Sequence, residues 1–439
     1  MTPTELRIVQ LVSRNALTAN QLVDLTWGIA PDRLGEVLAR LRKAGVIRKT
    51  KGGAWVATAN PPQGEPVGLL AASDAPANDA PAVLERFLSQ LPHPHPHDFD
   101  WRFSADGARA YAAHLARYHG PGDSVCVVAA PTLYACLRAE GRFRELSLIE
   151  RSADTISTIR TVFSDSAGVF THDLQYPWPP HLRGEFPCIA MDPPWYQDYF
   201  ELFLSRCVEL AREGGFMHTA LFPPFTRATA LAERAAILSF AQHHGLSLVE
   251  LRLGAVEYTS PHFELRSFAE SGQDVPATWR RGDIATFFVA QRYTGEAVSV
   301  VDSGSWHEYR VGRSKLKLRV GGARAYEAPS LSMVEGGTPI LRSVSRGYPP
   351  REGIGLWTSC QQAYTVHGAH VVQTLLECAL DGQSFSAAAR KLAKEFRVSG
   401  RMVARQCEAC FSLIQQIIRK EREYAEQRAL GEPAGAAHG

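Results

Sequence analysis

Five consecutive residues carry the clearest chemistry in this chain: Asp192, Pro193, Pro194, Trp195 and Tyr196, which follow the apolar run CIAM at 188–191. A planar, conjugated amine is a poor nucleophile because its lone pair is delocalised. A carboxylate and a fixed carbonyl that both accept its N–H groups hold the nitrogen so that the lone pair faces an electrophilic carbon. Asp192 supplies the carboxylate and Pro193 the carbonyl, while the two prolines form a rigid turn without N–H donors. Trp195 then stacks the ring that bears the amine, a contact worth about 1–3 kcal/mol per base, with Tyr196 as a second wall. The alternative is plain: an acid and two prolines also end a strand.

From about residue 98 the pattern alternates between strands and helices. Strands are expected at 124–130, 146–150, 168–173, 188–192, 215–222, 246–254 and 283–291, with helical stretches between most of them. Seven strands in this alternation predict a Rossmann-like, doubly wound α/β sheet. Ligands of such sheets bind at the carboxyl ends of the strands, where the strand order reverses. Ala129, Ala130, Pro131, Thr132, Glu150, Asp173 and Asp192 all stand at predicted strand ends.

At that place the DPPW tetrad, residues 192–195, resembles motif IV of the class I S-adenosylmethionine-dependent amino-methyltransferases. The resemblance covers roughly residues 98–295. It implies S-adenosylmethionine as cofactor, Glu150 on its ribose, Asp173 on its adenine amine, and methyl transfer to a nitrogen. The chain departs from the pattern in two ways. No glycine lies between Asp123 and Gly141, where the family carries a glycine-rich loop; Ala129 and Ala130 are small enough for close approach, and Pro131 and Thr132 open a helix whose free N–H groups favour an anion. DPPW also follows the first-strand loop instead of preceding it, unlike the common adenine branch. The architecture resembles, second, the branched-chain polyamine synthases, which use decarboxylated S-adenosylmethionine and hold cationic amines with acids after the first strand; here that loop reads AAPT. A third reading is a non-catalytic DNA-binding or scaffold protein on the same fold. Phe222, Tyr258, His262 and Phe263 are candidate walls of the substrate cleft.

Residues 1–58 read as three amphipathic helices and a small hairpin, with Thr18 and Pro31 at helix starts, and resemble a winged helix-turn-helix. Nine Lys or Arg stand there against four Asp or Glu. Arg33, Arg40, Lys43, Arg48, Lys49 and Lys51 are the candidate phosphate contacts, although such a face is often only solvated. A Pro/Ala-rich linker is expected at 59–97, a β-rich extension at 296–360 and a helical region at 361–439 that could form a second helix-turn-helix or dimerise.

The whole chain of 439 residues carries a net charge of only +2, so any nucleic-acid footprint is local. Its eight scattered cysteines suit reduced thiols, and no apolar run is long enough to span a membrane, which predicts a cytoplasmic protein. His93, His95 and His97 alternate with proline, and Cys407 and Cys410 form a lone CxxC; neither spacing has the partners a metal site needs, so no metal is expected.

Overall fold

The computed structural model describes residues 1–58, 80–164, 168–273, 275–291, 298 and 305–429. The chain divides into two compact units.

The first unit comprises Met1–Leu91, Trp101–Ser260 and Val275–Val300. It opens with helices α1 (Pro3–Arg14), α2 (Ala19–Leu25) and α3 (Pro31–Lys43), followed by the antiparallel pair β1 (Ile47–Lys49) and β2 (Trp55–Ala57). Thr2 with Glu5 and Thr18 with Gln21 form reciprocal capping boxes, and Pro31 begins α3 where a missing N–H costs nothing. Ile8, Val12, Leu22, Leu34, Val37 and Leu41 fill the space between the three helices.

An eight-stranded sheet follows, in the order β3-β9-β10-β8-β7-β4-β5-β6. Its strands are β3 (Arg102–Phe103), β4 (Ser124–Val128), β5 (Glu145–Glu150), β6 (Val169–Thr171), β7 (Phe186–Met191), β8 (Ala211–Leu221), β9 (Leu246–Thr259) and β10 (Arg281–Val289). β8, β7, β4, β5 and β6 are parallel, and β10 inserts antiparallel between β8 and β9. The seven expected segments lie in this sheet. The count of seven is corrected to eight because the two-residue β3 pairs with Tyr258 and Thr259 at the end of β9.

Side chains alternate across the strands, so Val125 and Val127 face one core while Cys126 and Val128 face the other. The first core is covered by α4 (Ala80–Gln90), α5 (Ala105–Leu115), α6 (Pro131–Glu140) and α7 (Ala153–Val162), and the second by α8 (Gln197–Leu210) and α9 (Ala230–His243). Helix α5 lies so close to β9 that a Cβ on Gly107 would stand 2.0 Å from the Glu257 carbonyl oxygen, which no side chain allows. Much of the expected linker, 59–79, lies outside the described residues. The remainder of it through Leu91 is not a linker: Leu84, Phe87 and Leu91 recur at three-and-four spacing and are buried in the first core.

The second unit comprises Pro92–Asp100, Pro261–Asp274 and Val301–Gly439. Strands β11 (Trp306–Val311), β12 (Ser314–Arg319), β13 (Ser330–Met333), β14 (Leu356–Thr358) and β15 (Ala363–His367) form an antiparallel sheet in the order β11-β12-β14-β15-β13. Helices α10 (His262–Glu270), α11 (Ala369–Leu380), α12 (Phe385–Phe396) and α13 (Gly400–Ala429) belong to the same unit. The boundary expected at 360–361 therefore does not divide the structure: Leu316, Leu318 and Leu356 of the sheet share one core with Val371, Leu375, Cys407, Cys410 and Ile414 of the helices. The histidines of the LPHPHPH stretch serve this unit's packing. His93 bonds Ser314 Oγ at 3.0 Å and His95 bonds the Trp357 carbonyl at 3.0 Å, and burial lowers His95 to about 3, so it stays neutral. No helix among the described residues is long and apolar enough to cross a membrane.

Candidate active site

The chain order within the sheet sets where a ligand can enter. From β4 the strands step outward to β5 and β6, then return to the other side of β4 with β7. The reversal lies between β4 and β7, and their carboxyl ends open the crevice. Backbone bonds carry the ladder past the strand ends: Asp192 N–H donates to the Val128 carbonyl at 3.3 Å, Ala129 N–H to Ile149 at 2.9 Å and His172 N–H to Glu150 at 3.1 Å. Asp192, Ala129 and Glu150 thus stand on adjacent strand ends, roughly 4.8 Å apart from strand to strand.

Asp192 is half-buried, and the hydroxyl of Tyr258 donates to its Oδ1 at 2.7 Å. Burial and the Asp192 charge push the Tyr258 phenol well above its ordinary value, so it remains a donor throughout the working pH range. Tyr111, equally buried, donates to the Met191 carbonyl at 3.3 Å and supports the same strand end from below. Tyr196 N–H donates to the Pro194 carbonyl at 2.7 Å, which closes the turn and leads into α8; the Pro193 carbonyl takes no part in that turn.

The aromatic walls are more complex than sequence alone suggests. Trp195 meets Tyr258 edge to face at 5.2 Å and Phe222 at 6.5 Å between ring centres. The Arg280 guanidinium lies 4.7 Å from the Trp195 ring centre, and that of Arg227 lies 4.2 Å from Phe222 and 5.6 Å from Tyr196. Arg280, Arg227 and Tyr111 escaped the sequence reading, because nothing in their local spacing announces them. Tyr258, beyond the strand expected at 246–254, is within β9, which runs to Thr259. His262 and Phe263, expected beside it, belong to the second unit: Phe263 is buried there and the His262 ring stacks on Tyr424 at 4.8 Å.

On the other side of the crevice, Ala129 adopts φ 51, the left-handed conformation that a glycine normally supplies. Ala130 is the N-cap of α6 and Pro131 its first residue, and no side chain caps that end. The hydroxyl of Thr132 is buried and without a partner. Glu150 is 9% exposed and its Oε1 accepts the Ser152 N–H at 2.7 Å. Asp173 lies two residues beyond β6 and its Oδ1 accepts the Gln175 N–H at 3.0 Å. A left-handed turn, an open helix start, an unpaired buried hydroxyl and a fixed carboxylate on neighbouring strands fit a nucleoside-bearing cofactor.

The basic residues of the N-terminal module divide into two groups. Arg33 is half-buried and donates to Thr4 Oγ1 at 3.1 Å, and Arg40 pairs with Glu5 at 3.1 Å, so both brace α1 against α3. Lys43, Arg48, Lys49 and Lys51 are exposed.

No family model matches the sequence, and no curated protein matches it. Among solved structures, the chain is similar to the branched-chain polyamine synthase of Thermus thermophilus in its C9 mutein form, at 16% identity over 68% of this chain and 90% of that one, with a TM-score of 0.54. The synthase itself matches at 17% identity over 68% and 91%, with a TM-score of 0.52; both were solved with N4-aminopropylspermidine and 5'-methylthioadenosine. The likeness is one of fold.

Proposed function

We propose that this chain transfers the methyl group of S-adenosylmethionine to the nitrogen of a planar amine, such as the exocyclic amine of a nucleobase. The observation that carries the reading is the Asp192 carboxylate, fixed by Tyr258 at 2.7 Å, at the mouth of β7 beside the Ala129–Thr132 loop. Ala129, Ala130, Pro131 and Thr132 would line the cofactor, Glu150 would accept from its ribose hydroxyls, and Asp173 would accept from its adenine amine. When bound, the cofactor supplies an electrophilic methyl on a sulfonium centre. Asp192 and the Pro193 carbonyl accept the amine's two N–H groups and turn its lone pair toward that methyl. Trp195 and Tyr196 hold the ring. The proton released after transfer leaves through Asp192 or water.

Aminopropyl transfer is the second reading, favoured by the fold match over 90% of a polyamine synthase. The site's charges weigh against it. A polyamine needs several carboxylates, whereas the loop after β4 carries no acid and Arg280 sits against Trp195; Arg227, against Phe222, is already neutralised by Glu233. A guanidinium at the Trp195 wall suits an acceptor bearing phosphate. On the same reasoning residues 1–58 act as a winged helix that presents the enzyme to nucleic acid.

Calorimetric titration with S-adenosylmethionine, its decarboxylated form and S-adenosylhomocysteine tests the proposal. Preference for the carboxylated ligands is expected; preference for the decarboxylated one transfers the assignment to aminopropyl chemistry, and silence with all three leaves a scaffold. Asp192→Ala is expected to lower transfer by about 10²–10³-fold while cofactor affinity stays within a few fold of wild type.

A further inference from the structure

Far down the same strand from Asp192, a second cluster of chemically active side chains lies in the first core. Cys188 stands four residues before Asp192 on β7, about 13 Å away at ~3.3 Å per residue. In the parallel pairing of β7 with β8, Cys188 is opposite Phe216 and Ala190 is opposite His218. Cys188 and His218 are therefore diagonal neighbours on one face of the sheet, and both are 0% exposed. The turn that follows α5 brings His119 against them. One ligand atom from each of the three lies within 4.8 Å of the others.

Hydrogen-bond bookkeeping separates two accounts of this cluster. His119 Nε2 and His218 Nε2 face each other at 3.0 Å, a contact in which only one can donate. The outward nitrogens have their own acceptors: His218 Nδ1 meets Thr286 Oγ1 at 3.1 Å, and His119 Nδ1 lies 3.7 Å from Asp123 Oδ2. Thr286 can pass its own proton to His114 Nε2 at 2.8 Å. With both Nδ1 atoms protonated, Thr286 and Asp123 accept from the two rings and two bare Nε2 lone pairs point at one spot beside a thiol. That is the tautomer pattern of metal-bound histidines, with a hydroxyl and a carboxylate as the outer partners that orient the rings. Without an ion, the alternative chain has His114 accepting from Arg252 at 3.4 Å and His218 Nε2 donating to His119 Nε2.

We propose that Cys188, His119 and His218 bind a divalent cation of the zinc class. Metal–nitrogen bonds of ~2.0–2.1 Å place tetrahedral nitrogens about 3.3 Å apart, so the present separation need open by only a few tenths of an ångström. Binding replaces the Cys188 S–H proton with the ion, and the proton leaves to solvent. The thiolate and the Asp123 carboxylate together balance the double charge. His119 is 8% exposed and Asp123 lies on the solvent side, which gives the entry path and leaves the fourth position to a water. The ion ties β7 and β8 to the turn after α5 and thereby stiffens the strand that delivers Asp192. Its role is structural, and the proposal stands independently of the reaction assigned to the crevice.

The test uses the full-length protein, stripped with a chelator and titrated with zinc against a chromogenic competitor, then with cobalt. One tight zinc ion per chain and a cobalt spectrum containing a thiolate charge-transfer band are the expected results. Cys188→Ser should remove that band, and His119→Gln, at the rim of the core, should weaken zinc binding at least 10-fold while leaving the circular dichroism of the apoprotein unchanged. Cys207→Ser, a buried thiol elsewhere in the same unit, should alter neither. Zinc binding no tighter than that of the His119→Gln variant, or a cobalt spectrum without the thiolate band, would overturn the proposal and leave a hydrogen-bonded histidine chain.

Discussion

Replacing Tyr258 with Phe removes one oxygen from the site and little else. The ring is 1% exposed and packed against Phe103 at 4.7 Å and Trp195 at 5.2 Å, so its apolar contacts survive the change. What is lost is the 2.7 Å bond from the phenol to Asp192 Oδ1. A hydrogen bond to a charged acceptor contributes about 1.5–3 kcal/mol. If the bond serves to aim the carboxylate, that energy is missing mainly in the transition state, and the single-turnover rate should fall by about 10- to 150-fold. The assay is transfer of a tritiated methyl group from S-adenosylmethionine to nucleic acid from a methylation-deficient host, with calorimetry on the same preparations. Cofactor affinity should change less than two- to threefold. A second comparison isolates the mechanism: once Asp192 is Ala, adding Tyr258→Phe should cost nothing more, because the two residues act as a unit. An unchanged rate in Tyr258→Phe, or additive losses in the double variant, would refute the orienting role.

The loop after β4 gives a second prediction. Ala129 at φ 51 costs about 1–2 kcal/mol, part of which glycine returns to the unfolded chain as entropy, so Ala129→Gly should raise stability by up to about 1 kcal/mol in urea denaturation, and Ala129→Val should lower it. Buried Asp283, paired with Arg234 at 2.7 Å, is raised by burial to about 6 from 3.8. A raised carboxyl contributes stability that is present below the unfolded value and lost as pH rises, so wild type should lose up to about 3 kcal/mol relative to Asp283→Asn between pH 4 and 6 in denaturant midpoints. Charge reversal at Lys43, Arg48 and Lys51 should weaken nucleic-acid binding and reduce its salt slope by ~0.9 per lost phosphate contact, whereas reversal at Arg40 should act on module stability through Glu5. Absence of wild-type binding at low salt would make the module a protein-docking element.

The central parallel strands β4 and β7 were legible because they are buried on both faces and read as apolar runs, SVCVV and CIAM. The elements that escaped detection are short or depend on distant partners. Two residues of β3 have no period to read, and they are a strand only because Tyr258 and Thr259 lie alongside. β15 was absorbed into a helical expectation because AYTVH runs directly into the apolar start of α11. The LPHPHPH stretch looked like an exposed linker by composition, yet His93 and His95 are buried by strands more than two hundred residues away.

The site shows the same division, with one instructive reversal. Asp192 and its prolines announce themselves locally, since the proposed chemistry rests on consecutive residues. The hydroxyl that aims Asp192 comes from 66 residues away, and the cations at Trp195 and Phe222 come from other loops, so no spacing rule could have found them. The missing glycine is different. A glycine-free loop argues against close approach only if alanine cannot take the glycine's conformation, and Ala129 takes it. It does so because Ala129 N–H is fixed to Ile149 at the strand end and α6 must start at Pro131, which forces the chain to turn within two residues. The backbone geometry that glycine would permit is therefore imposed here by the flanking elements at a small cost in strain, and at this position the added methyl of Ala129 is the steric difference a cofactor would meet. Ala129→Gly should then tighten S-adenosylmethionine binding or leave it unchanged in calorimetry, whereas weaker binding would mean that the methyl itself contacts the ligand.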